Sequence, residues 1–173
     1  MRIITGRYKG YKITSPKSNN IRPTTDKVRQ AIFSIIGEIK DKKFLDLFAG
    51  TGAIGLEAVS RGCSFVSFVD NSFNSIKTVK KNIDNFKDYN TYSVVKSSVN
   101  SYLSSNDYKY DIIFLDPPYN GGFVNKTLKK IFKHNTLCKS GSIVVEHSKY
   151  EIINHTVKSI HKFGETIVSV INY

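Results

Sequence analysis

The feature that most constrains the fold is the stretch from Phe44 to Gly55, where an apolar run leads into three closely spaced glycines. The run has the bulky residues of a strand that is covered on both faces. Gly50, Gly52 and Gly55 allow backbone torsions and a close approach that a Cβ atom would prevent. The pattern predicts a strand, a glycine turn whose main chain a ligand can touch, and then a helix.

Two acids, one within this stretch and one after it, indicate what class of ligand the turn binds. Asp46 lies inside the predicted strand, where a charge is costly unless a cationic ligand group or backbone amides accompany it. Asp70 follows a second strand-like run and is placed to accept hydrogen bonds from ribose hydroxyls. The glycines alone also match the dinucleotide fingerprint, so a nicotinamide cofactor is an alternative at this point.

The remaining periodicity predicts strands that alternate with helices. Thr24 or Thr25 is expected to cap a first helix, whose apolar residues are Val28, Ile32, Ile35, Ile36 and Ile39. Further helices are predicted over 53–61, 72–86 and 122–134, strands over 65–69, 92–95, 110–115 and 142–146, and a hairpin about Gly164. This order predicts an α/β domain with a doubly wound, mostly parallel sheet and ligands at the carboxyl ends of its strands.

A second candidate site, Asp116-Pro117-Pro118-Tyr119, follows the strand predicted over 110–115. Two prolines stiffen the turn and leave carbonyl groups without neighbouring donors. Asp116 and the Pro117 carbonyl could accept both hydrogens of an exocyclic amine, and Tyr119 could stack on a flipped base. Methylation of a base amine needs this set, whereas the simpler alternative is a Pro-Pro turn whose Asp caps the next segment.

Charge points to a polyanionic partner. The net charge is +12, and the first 30 residues carry eight basic side chains against one acid, Asp26. Four of the five arginines lie there, and arginine binds phosphate with two parallel hydrogen bonds. We expect an RNA-binding, basic N-terminal β-hairpin arm and linker over 1–23, followed by the main domain over 24–173. Its RNA contacts are assigned to Arg2, Arg7, Lys9, Lys12 and Arg22, with Arg29 beyond it. Codon bias and a hairpin whose tyrosines cover the domain are the alternatives.

Composition excludes several other classes. No apolar stretch has membrane-spanning length, and the first residues lack the hydrophobic core of a secretory signal, so a cytoplasmic protein is expected. Cys63 and Cys138 lie far apart, and the four histidines are scattered without metal-ligand spacing. Neither a disulfide framework nor a metal site is predicted.

Four stretches together resemble the RsmD family of small-subunit (16S) ribosomal RNA guanine-N2 methyltransferases. They are Arg2-Ile-Ile-Thr-Gly-Arg-Tyr-Lys-Gly10, Ile21-Arg-Pro-Thr-Thr-Asp-Lys-Val-Arg-Gln-Ala-Ile-Phe33, Phe44 to Ala58, and Asp111-Ile-Ile-Phe-Leu-Asp-Pro-Pro-Tyr119. The Arg22-Pro-Thr-Thr-Asp26 element is the most selective, because the glycine stretch (motif I) and Asp-Pro-Pro-Tyr (motif IV) are widespread among class I methyltransferases.

The resemblance implies a Rossmann-like, seven-stranded class I methyltransferase fold, S-adenosylmethionine as cofactor, and small-subunit RNA or an assembling 30S particle as the partner of a monomer. It assigns catalysis to Asp116, Pro117 and Tyr119. It assigns cofactor binding to Asp46, Phe48, Ala49, Gly50, Thr51, Gly52, Asp70, Asn71, Ser98, Val99 and Asp116. Ser98 departs from the family pattern, which often has an acid or amide there for the adenine.

Two rival functions remain on sequence grounds. One is another amino-methyltransferase, acting on adenine N6 or on a protein glutamine. Glutamine enzymes usually show Asn-Pro-Pro-Tyr, so Asp116 argues against that substrate. The other is a non-catalytic RNA-binding module on a nucleotide-binding fold.

Overall fold

The strands form a single mixed sheet that follows the predicted alternation of strands and helices. A computed structural model describes residues 1–15, 25–84, 86, 92–119 and 121–173. The strands are β1 (Lys43–Leu47), β2 (Phe65–Asp70), β3 (Tyr92–Lys96), β4 (Tyr110–Leu115), β5 (Leu137–Ser148), β6 (Ser159–Phe163) and β7 (Thr166–Asn172). Their order is β3-β2-β1-β4-β5-β7-β6. Strands β1 to β5 pair in parallel, and β7 runs antiparallel between β5 and β6. The predicted mostly parallel sheet with a terminal hairpin is confirmed.

Helices cover both faces of this sheet. They are α1 (Asp26–Ile36), α2 (Ala53–Ser60), α3 (Phe73–Ile83), α4 (Val99–Ser105) and α5 (Phe123–Lys133). One apolar core joins α1, α2 and α3 to the face that carries Phe44, Phe68 and Phe114. A second core joins α4 and α5 to the opposite face. Because side chains alternate along a strand, Asp46 shares the first face with Phe44. Within the described ranges no helix is long and apolar enough to cross a membrane.

The structure corrects the predicted elements in two places. Helix α4 begins at Val99, where the sequence pattern predicted no helix, and Ser98 caps it. Strand β5 starts at Leu137, five positions before its predicted start, and shifts register against β4 between Tyr110 and Ile112. At the first helix, Thr25 is the cap: its Oγ1 accepts a hydrogen bond from the Val28 amide at 3.3 Å.

Residues 1–15 lie against the main domain. They contain a single antiparallel bridge, between Arg2 and Lys12, in place of two regular strands. The carboxylate of Glu57 in α2 accepts hydrogen bonds from the amides of Ile4 and Thr5 at 2.7 and 2.9 Å. Tyr8 is only 5% exposed. Strong acceptors that hold consecutive backbone amides fix this segment in place, so residues 1–15 are held along α2.

Candidate active site

The carboxyl ends of β1, β4 and β5 open into one cleft with a volume of about 970 Å³. Its lining combines the glycine turn, the Asp-Pro-Pro-Tyr turn, the start of α1 and the β6–β7 turn. These residues include Phe48, Ala49, Gly50, Thr51, Asp46, Asp70, Asn71, Asp116, Pro117, Tyr119, Glu146, Lys27, Lys162 and Thr166. Clefts of a few hundred to about 1,000 Å³ are typical of ligand sites. The two predicted motifs therefore meet in one site.

Asp46 is the buried carboxyl group at the base of this cleft. It is 2% exposed, and its Oδ2 accepts a hydrogen bond from the Gly55 amide at 2.9 Å. Burial raises its pKa to about 8, the Gly55 amide opposes that shift, and the nearby Asp70 adds to it. A cationic ligand group beside Asp46 would favour the ionised form, so this carboxyl suits the ammonium group of a bound amino-acid moiety.

The glycine turn presents its main chain through an unusual run of torsions. Phe48, Gly50 and Gly52 have φ values of 61°, 55° and 77°. Asp70 fixes the turn, because its Oδ2 accepts a hydrogen bond from the Gly50 amide at 2.9 Å and its Oδ1 one from the Ser72 amide at 2.8 Å. The carboxylate retains lone pairs for a ligand hydroxyl.

The other two glycines have packing roles. A Cβ atom at Gly55 would lie 2.2 Å from Cε1 of Phe68, so this glycine lets α2 approach β2. A Cβ atom at Gly52 would lie 3.1 Å from Cγ2 of Val79. Gly52 caps α2 in the left-handed conformation and is absent from the described cleft lining. Gly52 therefore helps to shape the turn, and its contact with the cofactor stays a prediction.

The Asp-Pro-Pro-Tyr turn forms the second wall of the cleft. Pro117 is buried, whereas Tyr119 is 45% exposed at the mouth. Phe123 at the start of α5 contacts Phe48 edge-on, with 6.2 Å between ring centroids. Burial raises the pKa of Asp116 well above its usual value, and the charges of Glu146 and Asp46 raise it further. An acceptor group and aromatic surfaces thus lie beside the glycine turn.

Glu146 is a cleft residue that the sequence analysis did not select. It lies near the end of β5, is 5% exposed and faces Asp116 closely enough to raise the pKa of that carboxyl. A sequence signal existed, since the acid Glu146 directly follows the apolar run 143–145. Without the knowledge that β4 and β5 are neighbours, an acid at this position indicates only that the strand ends there.

Ser98 and Val99 are not brought into the cleft lining described by the structure. The Ser98 hydroxyl accepts a hydrogen bond from the Ser101 amide at 3.1 Å and so caps α4. Val99 is buried in the second core. The adenine contacts expected at these two residues stay a prediction.

The basic side chains differ in what they can reach. Arg2, Arg7, Lys9 and Lys12 are exposed on the segment 1–15, while Arg22 lies outside the described residues. The backbone of this segment is tied to α2, since the Arg7 amide donates to the Ser60 carbonyl at 2.8 Å. The alternative in which tyrosines cover the domain holds for Tyr8, which packs on Phe86 with 4.3 Å between ring centroids.

Arg29 was predicted to contact RNA, and that prediction is wrong. Its side chain is fully buried. The guanidinium donates hydrogen bonds to the Arg2 carbonyl and to Oδ1 of Asp26, and its Nε lies 4.0 Å from Oε2 of Glu57. Arg29 therefore holds the N-terminal segment against α1 and α2 rather than meeting a phosphate.

Comparison with known proteins identifies the family. The family model described as conserved hypothetical protein 95 matches residues 1–171. The chain belongs to this family. The ribosomal RNA small subunit methyltransferase D of Buchnera aphidicola from Acyrthosiphon pisum is 35% identical over 152 residues, which are 87% of this chain and 80% of that protein. The protein of the same name from Escherichia coli K12 is 35% identical over 147 residues, 84% of this chain and 74% of that protein.

Solved structures agree with this assignment. The Escherichia coli protein YhhF matches with a TM-score of 0.87 at 29% identity, covering 98% of this chain and 96% of that one. A Streptococcus pyogenes protein matches with a TM-score of 0.79 at 29% identity, covering 84% and 96%. Family membership confirms the resemblance inferred from the sequence, together with the class I methyltransferase fold and S-adenosylmethionine as its cofactor.

Proposed function

We propose that this chain transfers a methyl group from S-adenosylmethionine to the exocyclic N2 amine of a guanine in small-subunit ribosomal RNA. The observation that carries the proposal is the meeting of the glycine turn and Asp116 in one cleft, on the neighbouring strands β1 and β4. Its relatives in Buchnera aphidicola and Escherichia coli are named small-subunit ribosomal RNA methyltransferases, which supports the RNA class.

The residues present fit the cofactor. Bound S-adenosylmethionine supplies an electrophilic methyl group on a cationic sulfur. Asp46 would bind the ammonium of its methionine portion, because a cation compensates the burial of that carboxyl. Asp70 and Asn71 line the cleft where ribose hydroxyls can be bound. Phe48, Ala49, Gly50 and Thr51 would surround the methionine portion with main chain.

Asp116 and the Pro117 carbonyl accept the two amine hydrogens and so direct the nitrogen lone pair towards the methyl group. Bound S-adenosylmethionine would supply the methyl group to that nitrogen, with its sulfur as the leaving group and S-adenosylhomocysteine as the product. Asp116 would take the proton that the amine gives up and pass it to water. Alignment at near-contact distance contributes most of the rate, and the negative charge of Asp116 favours the nitrogen as it becomes cationic. Tyr119 offers the base an aromatic surface.

The RNA is bound by exposed cations of the N-terminal segment. Segment 1–23 is the proposed RNA-contacting element, and 24–173 is the methyltransferase domain. Arg2, Arg7, Lys9 and Lys12 present positive charge from a backbone that is already fixed, so little ordering entropy is lost on binding. A monomer acting in the cytoplasm on the RNA or on an assembling 30S particle fits this substrate.

The decisive test is methyl transfer from labelled S-adenosylmethionine to small-subunit particles from a strain that lacks this protein, followed by nucleoside mapping. We expect the label in N2-methylguanosine. Label in N6-methyladenosine or in protein glutamine would replace the proposed substrate with one of the rivals. Cofactor binding without any transfer would favour the non-catalytic RNA-binding module.

Asp116→Ala tests the role of the second motif. We expect transfer to be lost while cofactor affinity stays close to wild type, because Asp116 acts on the base. Asp107→Ala removes an exposed carboxylate outside the cleft and should leave both unchanged. Wild-type turnover in Asp116→Ala would remove Asp116 from the mechanism.

Replacement of Arg2, Arg7 and Arg22 together by Ala tests the RNA contacts. Loss of three phosphate contacts should lower RNA affinity and reduce the slope of log K against log salt by about 2 to 3. Substituting the exposed Lys77, Lys80 and Lys81 of α3 removes the same charge elsewhere. Equal effects of the two triple variants would show that only net charge matters.

A further inference from the structure

Glu146 and Asp116 lie side by side at the carboxyl edge of the sheet. Strands β4 and β5 pair in parallel with Leu115 opposite Val145, so the next residues along the two strands are Asp116 and Glu146. Neighbouring strands are about 4.8 Å apart, which sets the spacing of two adjacent side chains on one face. Both carboxyl groups line the cleft. At this spacing the two carboxyl groups can accept hydrogen bonds from neighbouring donors of one ligand in the cleft.

The repulsion between the two carboxyl groups indicates what kind of ligand would stabilise them. Burial raises the pKa of Asp116 and the charge of Glu146 raises it further, because two ionised carboxyl groups so close together repel each other. A ligand that offers neighbouring N–H donors to both groups would offset that repulsion. A ligand that offers a lone pair to either one would increase it.

Among the bases, guanine has such an edge. Its N1–H lies next to its N2 amine, so it presents adjacent donors. Adenine has an acceptor at N1 beside its N6 amine, which places a lone pair where guanine has a hydrogen. If Asp116 binds the amine of the reacting base and Glu146 lies on the N1 side of that amine, Glu146 meets N1–H in guanine and an N1 lone pair in adenine.

We propose that Glu146 is the residue that selects guanine, by accepting a hydrogen bond from N1–H while Asp116 and the Pro117 carbonyl hold the N2 amine. This inference rests on the proposed function, because it names the residue that recognises the base methylated in that reaction. A site built to bind a substrate N–H rejects an analogue that lacks it by several orders of magnitude, since a buried group is then left without its partner. Glu146 thereby supplies specificity rather than the chemical step.

The test uses 2-aminopurine, which keeps the reacting 2-amine and has a lone pair instead of a hydrogen at N1. Kinetics would be measured on short RNAs that carry guanine or 2-aminopurine at the target mapped in the transfer experiment. The wild-type protein should prefer guanine by about 100-fold or more in kcat/KM. Glu146→Gln replaces the acceptor with an amide that can donate to N1, so the preference should fall at least tenfold, through a gain on 2-aminopurine relative to guanine.

Three controls separate the possible results. Glu146→Asp keeps a carboxylate and should keep the preference for guanine at a lower rate, whereas Glu38→Gln alters an exposed acid outside the cleft and should change neither rate. Affinity for S-adenosylmethionine shows that each variant is folded. Equal losses on both bases in Glu146→Gln would overturn the inference and leave the proposed function standing. Failure of the wild-type protein to methylate guanine would overturn both.

Discussion

Replacing Asp46 with Asn should stabilise the cofactor-free protein, and the gain should grow with pH. The structure buries this carboxyl with a single hydrogen bond, from the Gly55 amide, and its pKa is raised from 3.8 to about 8. Between these two values the folded chain holds a proton that the unfolded chain has released. Stability is therefore lost as pH rises, by about 1.4 kcal/mol per pH unit from this group.

The size of the effect follows from the two pKa values. At pH 7 the unfolded carboxyl has been ionised over roughly three pH units while the folded one is still mostly protonated, which amounts to about 4 kcal/mol. Asn retains an oxygen acceptor for the Gly55 amide and does not titrate. The variant should therefore match the wild type near pH 4, exceed it by about 4 kcal/mol at pH 7, and show no further increase above about pH 8.

The assay is urea unfolding of both proteins at several pH values between 4.5 and 8.5 without cofactor. A stability difference that does not depend on pH would refute the argument, because it would mean that Asp46 does not titrate on unfolding. A less stable Asn variant would refute it as well. The affinity for S-adenosylmethionine provides a second readout. The Asn variant should bind the cofactor more weakly than the wild type, because the anionic partner of the cofactor's ammonium group is lost.

Three further predictions concern Asp46, Glu57 and Gly55. Cofactor binding at pH 7 should release a proton from Asp46 in the wild type and none in its Asn variant, as shown by calorimetry in buffers of different ionisation enthalpy; equal values in both would contradict the pairing. Glu57→Ala should cost about 3 to 5 kcal/mol and open residues 1–15 to proteases, whereas Glu38→Ala should do neither. Gly55→Ala should lower the free energy of unfolding by about 1 to 3 kcal/mol, because the added methyl group meets Phe68, and Phe68→Leu in the same protein should recover part of this loss. An unchanged stability in Gly55→Ala would show that α2 can move away from β2.

Sequence patterns predicted the parts of the site that local chemistry determines. The glycine turn, Asp46 and the Asp116-Pro-Pro-Tyr turn each follow an apolar strand, and parallel strands bring their carboxyl ends to one edge. Their convergence could therefore be predicted. Glu146 could not, because its role depends on β5 being the neighbour of β4, which is a property of the tertiary structure.

The errors at the N-terminal side have a related cause. Arg29 was treated as a surface cation, yet it precedes Ile32 and Phe33 by three and four positions and so shares their buried helix face. Its guanidinium lies 3.0 Å from Asp26, three positions earlier, and 4.0 Å from Glu57, which is in another helix. Charge counts along the chain do not reveal the contact with Glu57, since that acid is distant in sequence. The helical period alone gave the correct signal.

The distribution of charge suggests how RNA binding and base selection are separated. The chain has a net charge of +12, yet four of its 14 acids, Asp46, Asp70, Asp116 and Glu146, line one cleft. Exposed cations would attract a phosphate backbone to the surface, while the acidic interior would repel phosphate and favour a cationic methyl donor and a base edge rich in N–H groups. The proposed reaction needs this division, because only a base that has left its stack and turned its donor edge inwards can enter the cleft.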